Sequence, residues 1–186
     1  MGINMIEWLV PGLIIILALW LVFTYNGFVS LNVRSKNALA QIDVQLKKRN
    51  DLVPNLVATV KGYAKHEKKV FTEVTNARSA IMKATTLSQK AKASNALTDT
   101  LKSLFAVAEN YPALQANQNF LHLQTELSSL EEKIAYERSF YNDVVQMYNT
   151  KLQVVPDSIV GNSFGFKKLL FFEAGAGERG VPKVEF

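Results

Sequence analysis

From position 8 to position 33 the chain carries no Asp, Glu, Lys, Arg or His, and residues 9–29 read LVPGLIIILALWLVFTYNGFV. As a helix those 21 residues rise about 32 Å, close to the roughly 30 Å hydrocarbon core of a bilayer, so they predict a single transmembrane helix. Pro11 and Gly12 fall in its first turn, where a missing N–H costs little. Trp8, Trp20 and Tyr25 supply interfacial anchors. A cleaved signal peptide is the alternative, and it fits badly: no Lys or Arg precedes the apolar run and no small-x-small site follows closely.

After the span the period changes. Leu39, Ile42, Leu46, Val53, Leu56, Val60, Tyr63, Val70, Val74, Ala77 and Ile81 follow one alternating 3,4 series, interrupted at Arg49 and Glu67. Such a series predicts a helix packed in a left-handed bundle or coiled coil. Because the register runs through Pro54, residues 34–82 read as one helix of about 73 Å, kinked at the proline. Asn50 or Asp51 capping a restarted helix is the alternative. The pattern dissolves from 84 to 95, which predicts a turn at the end far from the membrane, with Ser94 or Asn95 capping the next helix. That helix carries Leu97, Leu101, Leu104, Phe105 and Ala108 and stops before Pro112. Another starts near Asn117, carries Phe120, Leu123, Leu127, Leu130, Ile134, Tyr141, Val144 and Tyr148, and ends before Pro156.

Short turns between sequential helices predict antiparallel packing. The expected fold is therefore all-α: a transmembrane helix over residues 1–33, an up-and-down bundle over 34–155 and a Gly/Phe-rich tail over 156–186. The bundle has three long helices, or four if the first restarts at Pro54. In the tail, Gly161, Gly165, Gly175, Gly177 and Gly180 break any helix, while Phe164, Phe166, Leu169, Leu170, Phe171 and Phe172 are too apolar for a free terminus. It reads as a clamp on the bundle, with dipping into the bilayer or a partner as the second reading and 174–186 looser.

Charge sets the orientation. Every one of the 21 Lys and Arg lies at Arg34 or beyond, and Glu7 alone of the 16 acids precedes it, so the part from Arg34 onward carries net +6. Basic residues near a span are retained on the cytoplasmic side. The helical domain is thus expected in the cytoplasm, the N-terminus outside. Arg34, Lys36, Lys47 and Lys48, with Phe171 and Phe172 of the tail, are candidate lipid contacts; a plain topology signal is the competing reading of the cations. Basic and acidic residues are mixed and no aromatic-interleaved basic motif appears, so nucleic acid is not an expected partner.

Chemistry is sparse. With no Cys there is no thiol nucleophile, Cys-ligated zinc or disulfide. His66-Glu67 is followed by Val70 where HExxH demands His, and neither His66 nor His122 has a Glu three residues before it, as a di-iron bundle requires. No catalytic residue, metal or cofactor is expected. Polar residues do interrupt the apolar stripes: Arg49 and Glu67 in the first, and Glu131, Arg138 and Asn142 along one face of the last long helix. A solvated helix edge is the plain reading; a semi-buried network fixing helix register or oligomer state is the sharper one. Leu39, Ile42 and Leu46 would stay uncovered, since residues 95–111 make only about 26 Å of helix. They form a candidate seam for a homo-oligomer or a membrane partner.

The stretches QIDVQLKKRNDLVPNLVATVKGYAKHE (41–67), AVAENYPALQANQNFLHLQTEL (106–127) and ERSFYNDVVQMYN (137–149), preceded by YNGFVSLN and followed by FGF and FFE, closely resemble the LemA family. That resemblance implies a bacterial single-pass inner-membrane protein with a helical-bundle domain and no enzymatic activity. It also implies, by association, a link to membrane zinc metalloproteases of the HtpX type and to envelope maintenance. The matching residues, among them Asp43, Arg49, Pro54, Glu109, Arg138 and Asn142, carry no implied catalytic role. Two functions follow as expectations: a scaffold that assembles or binds a membrane partner, or a lipid-binding protein acting through its basic juxtamembrane surface and Phe-rich tail.

Overall fold

The computed structural model describes residues 5–172, with side chains from residue 8 onward; the looser segment expected at 174–186 lies outside the described residues. Of these, 84% are helical and none is in a strand. In chain order the helices are α1 (Met5–Tyr63), α2 (Lys68–Lys83), α3 (Leu87–Ala108), α4 (Pro112–Gln115), α5 (Gln118–Lys151) and α6 (Asp157–Ser163). The chain divides into two compact units. One joins the residues up to Ala38 with Phe140–Phe171; the other joins Leu39–Ser139 with Phe172.

The second unit is built on the periodicity of the sequence. Val53, Leu56 and Val60 of α1 pack with Phe71, Val74 and Ala77 of α2, Leu97, Leu101 and Leu104 of α3, Leu114 of α4, and Phe120 and Leu127 of α5. Each fully buried aliphatic side chain here contributes about 1.5–3 kcal/mol. Polar contacts give the directions. Arg49 meets Glu131 and Tyr63 meets Asn117, so α1 and α5 run in opposite senses. Asp43 meets Lys90 and Arg49 meets Ser94, so α1 and α3 run in the same sense.

The helix expected over 34–82 is in fact two. α1 ends at Tyr63, four residues turn, and α2 begins at Lys68. Val60, Val74 and Ala77 of the expected series are buried, but at the turn the inward positions are Ala64 and Phe71, each one residue past Tyr63 and Val70, a slip that four residues between two helices absorb. The turn at 84–86 therefore comes back beside Asp43 rather than standing at the far end. The capping residue also differs from the expected Ser94 or Asn95. Thr86 accepts from the Gln89 amide and the Gln89 side chain from Thr86, a capping box that starts α3 eight residues earlier.

Pro54 sits inside α1 without interrupting it. It has no N–H for the Asn50 carbonyl four residues back; the Arg78 Nε of α2 donates to that carbonyl instead, at 3.2 Å. α5 starts where Asn117 Oδ1 accepts from the Phe120 amide at 3.0 Å.

In the first unit, one face of α1 from Thr24 to Leu31 packs against the end of α5, α6 and the tail. Phe28 stacks on Phe166 with centroids 4.9 Å apart and meets Tyr148 edge-on. Gly161 of α6 lies so close that a Cβ there would sit 2.6 Å from Leu152 Cδ1 and 3.0 Å from Phe28 Cζ. The tail is held by Asn149, whose amide donates to the Leu169 carbonyl and accepts from the Leu169 N–H, both at 2.9 Å. The Tyr141 hydroxyl donates to the Leu170 carbonyl at 2.8 Å.

Candidate functional site

The buried polar layer of the second unit forms where α1, α3 and α5 meet. Arg49 is 0% exposed. Its Nη1 donates to Glu131 Oε1 at 2.6 Å and to Thr98 Oγ1 at 2.9 Å, and its Nη2 to Ser94 Oγ at 2.6 Å and the Ser94 carbonyl at 3.2 Å. The Arg138 guanidinium reaches the same Ser94 Oγ at 2.6 Å and Asn95 Oδ1 at 3.2 Å. Arg138 also lies over the Phe172 ring, 4.8 Å from its centroid. Two guanidiniums thus share one serine oxygen, which has two lone pairs to offer. Desolvating Arg49 is costly unless its hydrogen bonds are made. The carboxylate, two hydroxyls and a carbonyl around it make four of them.

Three of the five candidate network residues, Arg49, Glu131 and Arg138, are therefore brought together. Glu67 is not among them. It lies in the turn before α2, as its N-cap, about 21 Å of helix beyond Arg49, because α1 ends at Tyr63. Asn142 lies one turn of α5 beyond Arg138 and makes contacts of its own. Ser94, Asn95 and Thr98 were missed as members; the TLSQ capping box at 86–89, read earlier, would have moved them from a cap to the inside of a helix.

The candidate exposed seam is overturned. Ile42 and Leu46 are buried and Leu39 is half-buried. The early start of α3 supplies the cover: Lys90 bonds Asp43 at 2.7 Å, and Ile81, Met82 and Lys90 border Leu46. Of the candidate lipid contacts, Arg34, Lys36, Lys47 and Lys48 are exposed, as is Phe171. Phe172 is not available to lipid: it is 2% exposed beneath Arg138.

The first unit has polar geometry that the sequence did not announce. Lys151 Nζ pairs with Asp157 Oδ2 at 2.7 Å and lies over the Phe28 ring, while Thr24 Oγ1 donates to Asp157 Oδ1 at 3.4 Å. Below them, Arg34 lies over the Phe140 ring. Burial pushes the Tyr141 phenol above its ordinary range. His66 is exposed in a turn and His122 on α5, and among the described residues no group of three or more His, Cys, Asp or Glu is placed to share a metal.

α1 includes the one helix stretch, among the described residues, long and apolar enough to cross a membrane, and only 6% of its most apolar window is buried. A core helix of a water-soluble fold would be mostly covered. Residues 8–23 are bare, with Gly12 and Trp20 half-buried.

Comparison with known proteins gives two findings. A profile of the LemA family matches residues 38–186. Among named proteins, magnetosome proteins MamQ 1 and MamQ 2 of Paramagnetospirillum magneticum are each 25% identical over 179 residues, covering 82% of this chain and 66% of the relative. Magnetosome protein MamQ of Magnetospirillum gryphiswaldense is 24% identical over 185 residues, covering 85% and 68%. The chain thus spans 66% of the length of the Paramagnetospirillum relatives.

Proposed function

We propose, from the premise that this chain belongs to the LemA family, that it is a non-enzymatic scaffold anchored in a membrane by the N-terminal part of α1. The observation that carries this reading is the bare apolar stretch of α1, continuous in one helix with a stretch that packs into a charged bundle. The antiparallel order of the α1 and α5 contacts supports an up-and-down bundle as the scaffold's body. The cations beyond the span, beginning at Arg34 and Lys36, support a bacterial inner-membrane location with the bundle in the cytoplasm. The Arg49–Ser94–Arg138 layer closes within one chain, which supports a role in fixing helix register rather than in joining copies. Relatives named as magnetosome proteins support a structural role over a catalytic one.

As a scaffold the chain assembles with itself or with a membrane partner, the HtpX-type metalloprotease being the partner class the family resemblance implies. Crosslinking of the full chain in its membrane tests this. Defined multimers, or a crosslinked membrane protein, are expected; monomers alone would count against it. The exposure of Arg34, Lys36, Lys47 and Lys48 favours a second reading, direct lipid binding by the basic surface.

A further inference from the structure

The apolar run of α1 read as crossing the bilayer extends to Val29, about 32 Å of helix from Leu9 against a hydrocarbon core of roughly 30 Å. From Thr24 one face of that run is covered by protein: Thr24 and Phe28 are buried, while Tyr25 and Val29 remain exposed. Three contacts fix what covers it and at which level: Thr24 with Asp157, Tyr25 with Phe164, and Phe28 with the backbone of Gly161. Besides the polar Gln153, Asn162 and Ser163, the covering segment turns large apolar side chains outward. Val155 is 78% exposed, Ile159 60% and Phe164 53%, with Val154 beside them.

We propose that this collar, the end of α5 with α6 and Phe164, is itself inserted in the bilayer, so that its outward apolar side chains meet acyl chains at the level of residues 24–28 of α1. The occupant is lipid because the surface is continuous with the apolar span and lies beside its last residues, Thr24, Tyr25 and Phe28. A helix that lies in the interface buries its apolar face about 5–10 Å into the boundary of headgroups and acyl chains.

Charge agrees with this placement. Lys151 and Asp157, at the collar's own level, are paired with each other, partly buried and laid against Phe28, as ionic groups at membrane depth must be. The exposed cationic surface comes after the collar. Lys167 and Lys168 are exposed where the tail leaves Phe166, and Arg34 and Lys36 follow Leu31 on α1. That order, apolar then basic, matches acyl chains followed by anionic headgroups.

The inference rests on α1 being a membrane anchor, and the test separates the two. The chain has no Cys, so single substitutions Leu13→Cys, Ile159→Cys and Lys168→Cys on the full chain each take one spin label. Power-saturation EPR in vesicles of phosphatidylethanolamine and phosphatidylglycerol then compares collisions with oxygen and with a water-soluble nickel chelate. The label at 159 is expected to favour oxygen, at a depth of about 5–10 Å below the phosphates, with 13 deeper and 168 open to the chelate. A label at 159 open to the chelate, while 13 is in the bilayer, overturns the collar and leaves the anchor standing. Shielding of 159 from both reagents shows a protein neighbour, such as a second copy, and also overturns it. If 13 meets the chelate, the anchor fails and the collar with it.

Discussion

The two units share the same two long helices and treat polar and apolar groups in opposite ways. The Leu39–Ser139 unit buries Arg49, meets both of its Nη groups with oxygen, and covers its apolar stripe with α2, α3 and α4. The first unit packs aromatic rings around Phe28 and leaves Val155, Ile159 and Phe164 outside. Water accounts for the former, and the proposed membrane placement accounts for the latter: next to water apolar area is hidden, whereas next to acyl chains it can face out and charge must pair.

The comparison can be broken by removing what is particular to each side. Arg49→Ala takes the central cation from the polar layer, leaving a cavity and partly buried Glu131 without its partner. It should cost about 3–5 kcal/mol, which for a chain of this size is a fall in Tm on the order of 10 °C, read by far-UV circular dichroism of the full chain. In the first unit, Gly161→Val drives a branched side chain into Leu152 and the rigid Phe28 ring. Overpacking of this kind costs about 1–3 kcal/mol. Loss of the tail's protection from proteolysis would report it, whereas Arg49→Ala should leave that protection largely in place.

A smaller effect sharpens the account of α1. If Arg78 serves the carbonyl that Pro54 leaves free, Arg78→Ala should cost about 1 kcal/mol less in a Pro54→Ala background, where the backbone N–H restored by that substitution takes over. Equal costs in both backgrounds in urea unfolding would dissociate the two residues. The smallest effect is in pH. Tyr141 ionises above its ordinary value because it is buried, while in the unfolded chain it ionises near pH ~10. Its contribution is complete below that pH and is lost as pH rises toward the folded value. The urea midpoint should fall more steeply above pH ~10 for the native chain than for Tyr141→Phe.

Much of this was legible in the sequence. The apolar run, the stripe from Val53 to Val60 and those of α3 and α5 are each long enough for periodicity to be decisive, and Arg49 stood out because it broke one. The hairpin at 64–67 was hidden because Tyr63 and Val70, on either side of it, are seven residues apart, two steps of one series. The burial of Ile42 and Leu46 followed from a capping box eight residues before the expected start of α3, so a local signal governed a contact some fifty residues away. Phe172 and Ser94 depended on which arginine they would meet, and that is settled only when three helices are side by side.

The central claim is an anchored scaffold, and the mass of the full-length protein in mild detergent, by light scattering corrected for bound detergent, tests it most directly. The account predicts either a defined multiple of 20.8 kDa or one chain bound to a co-purified membrane protein. A single chain with nothing bound would contradict it.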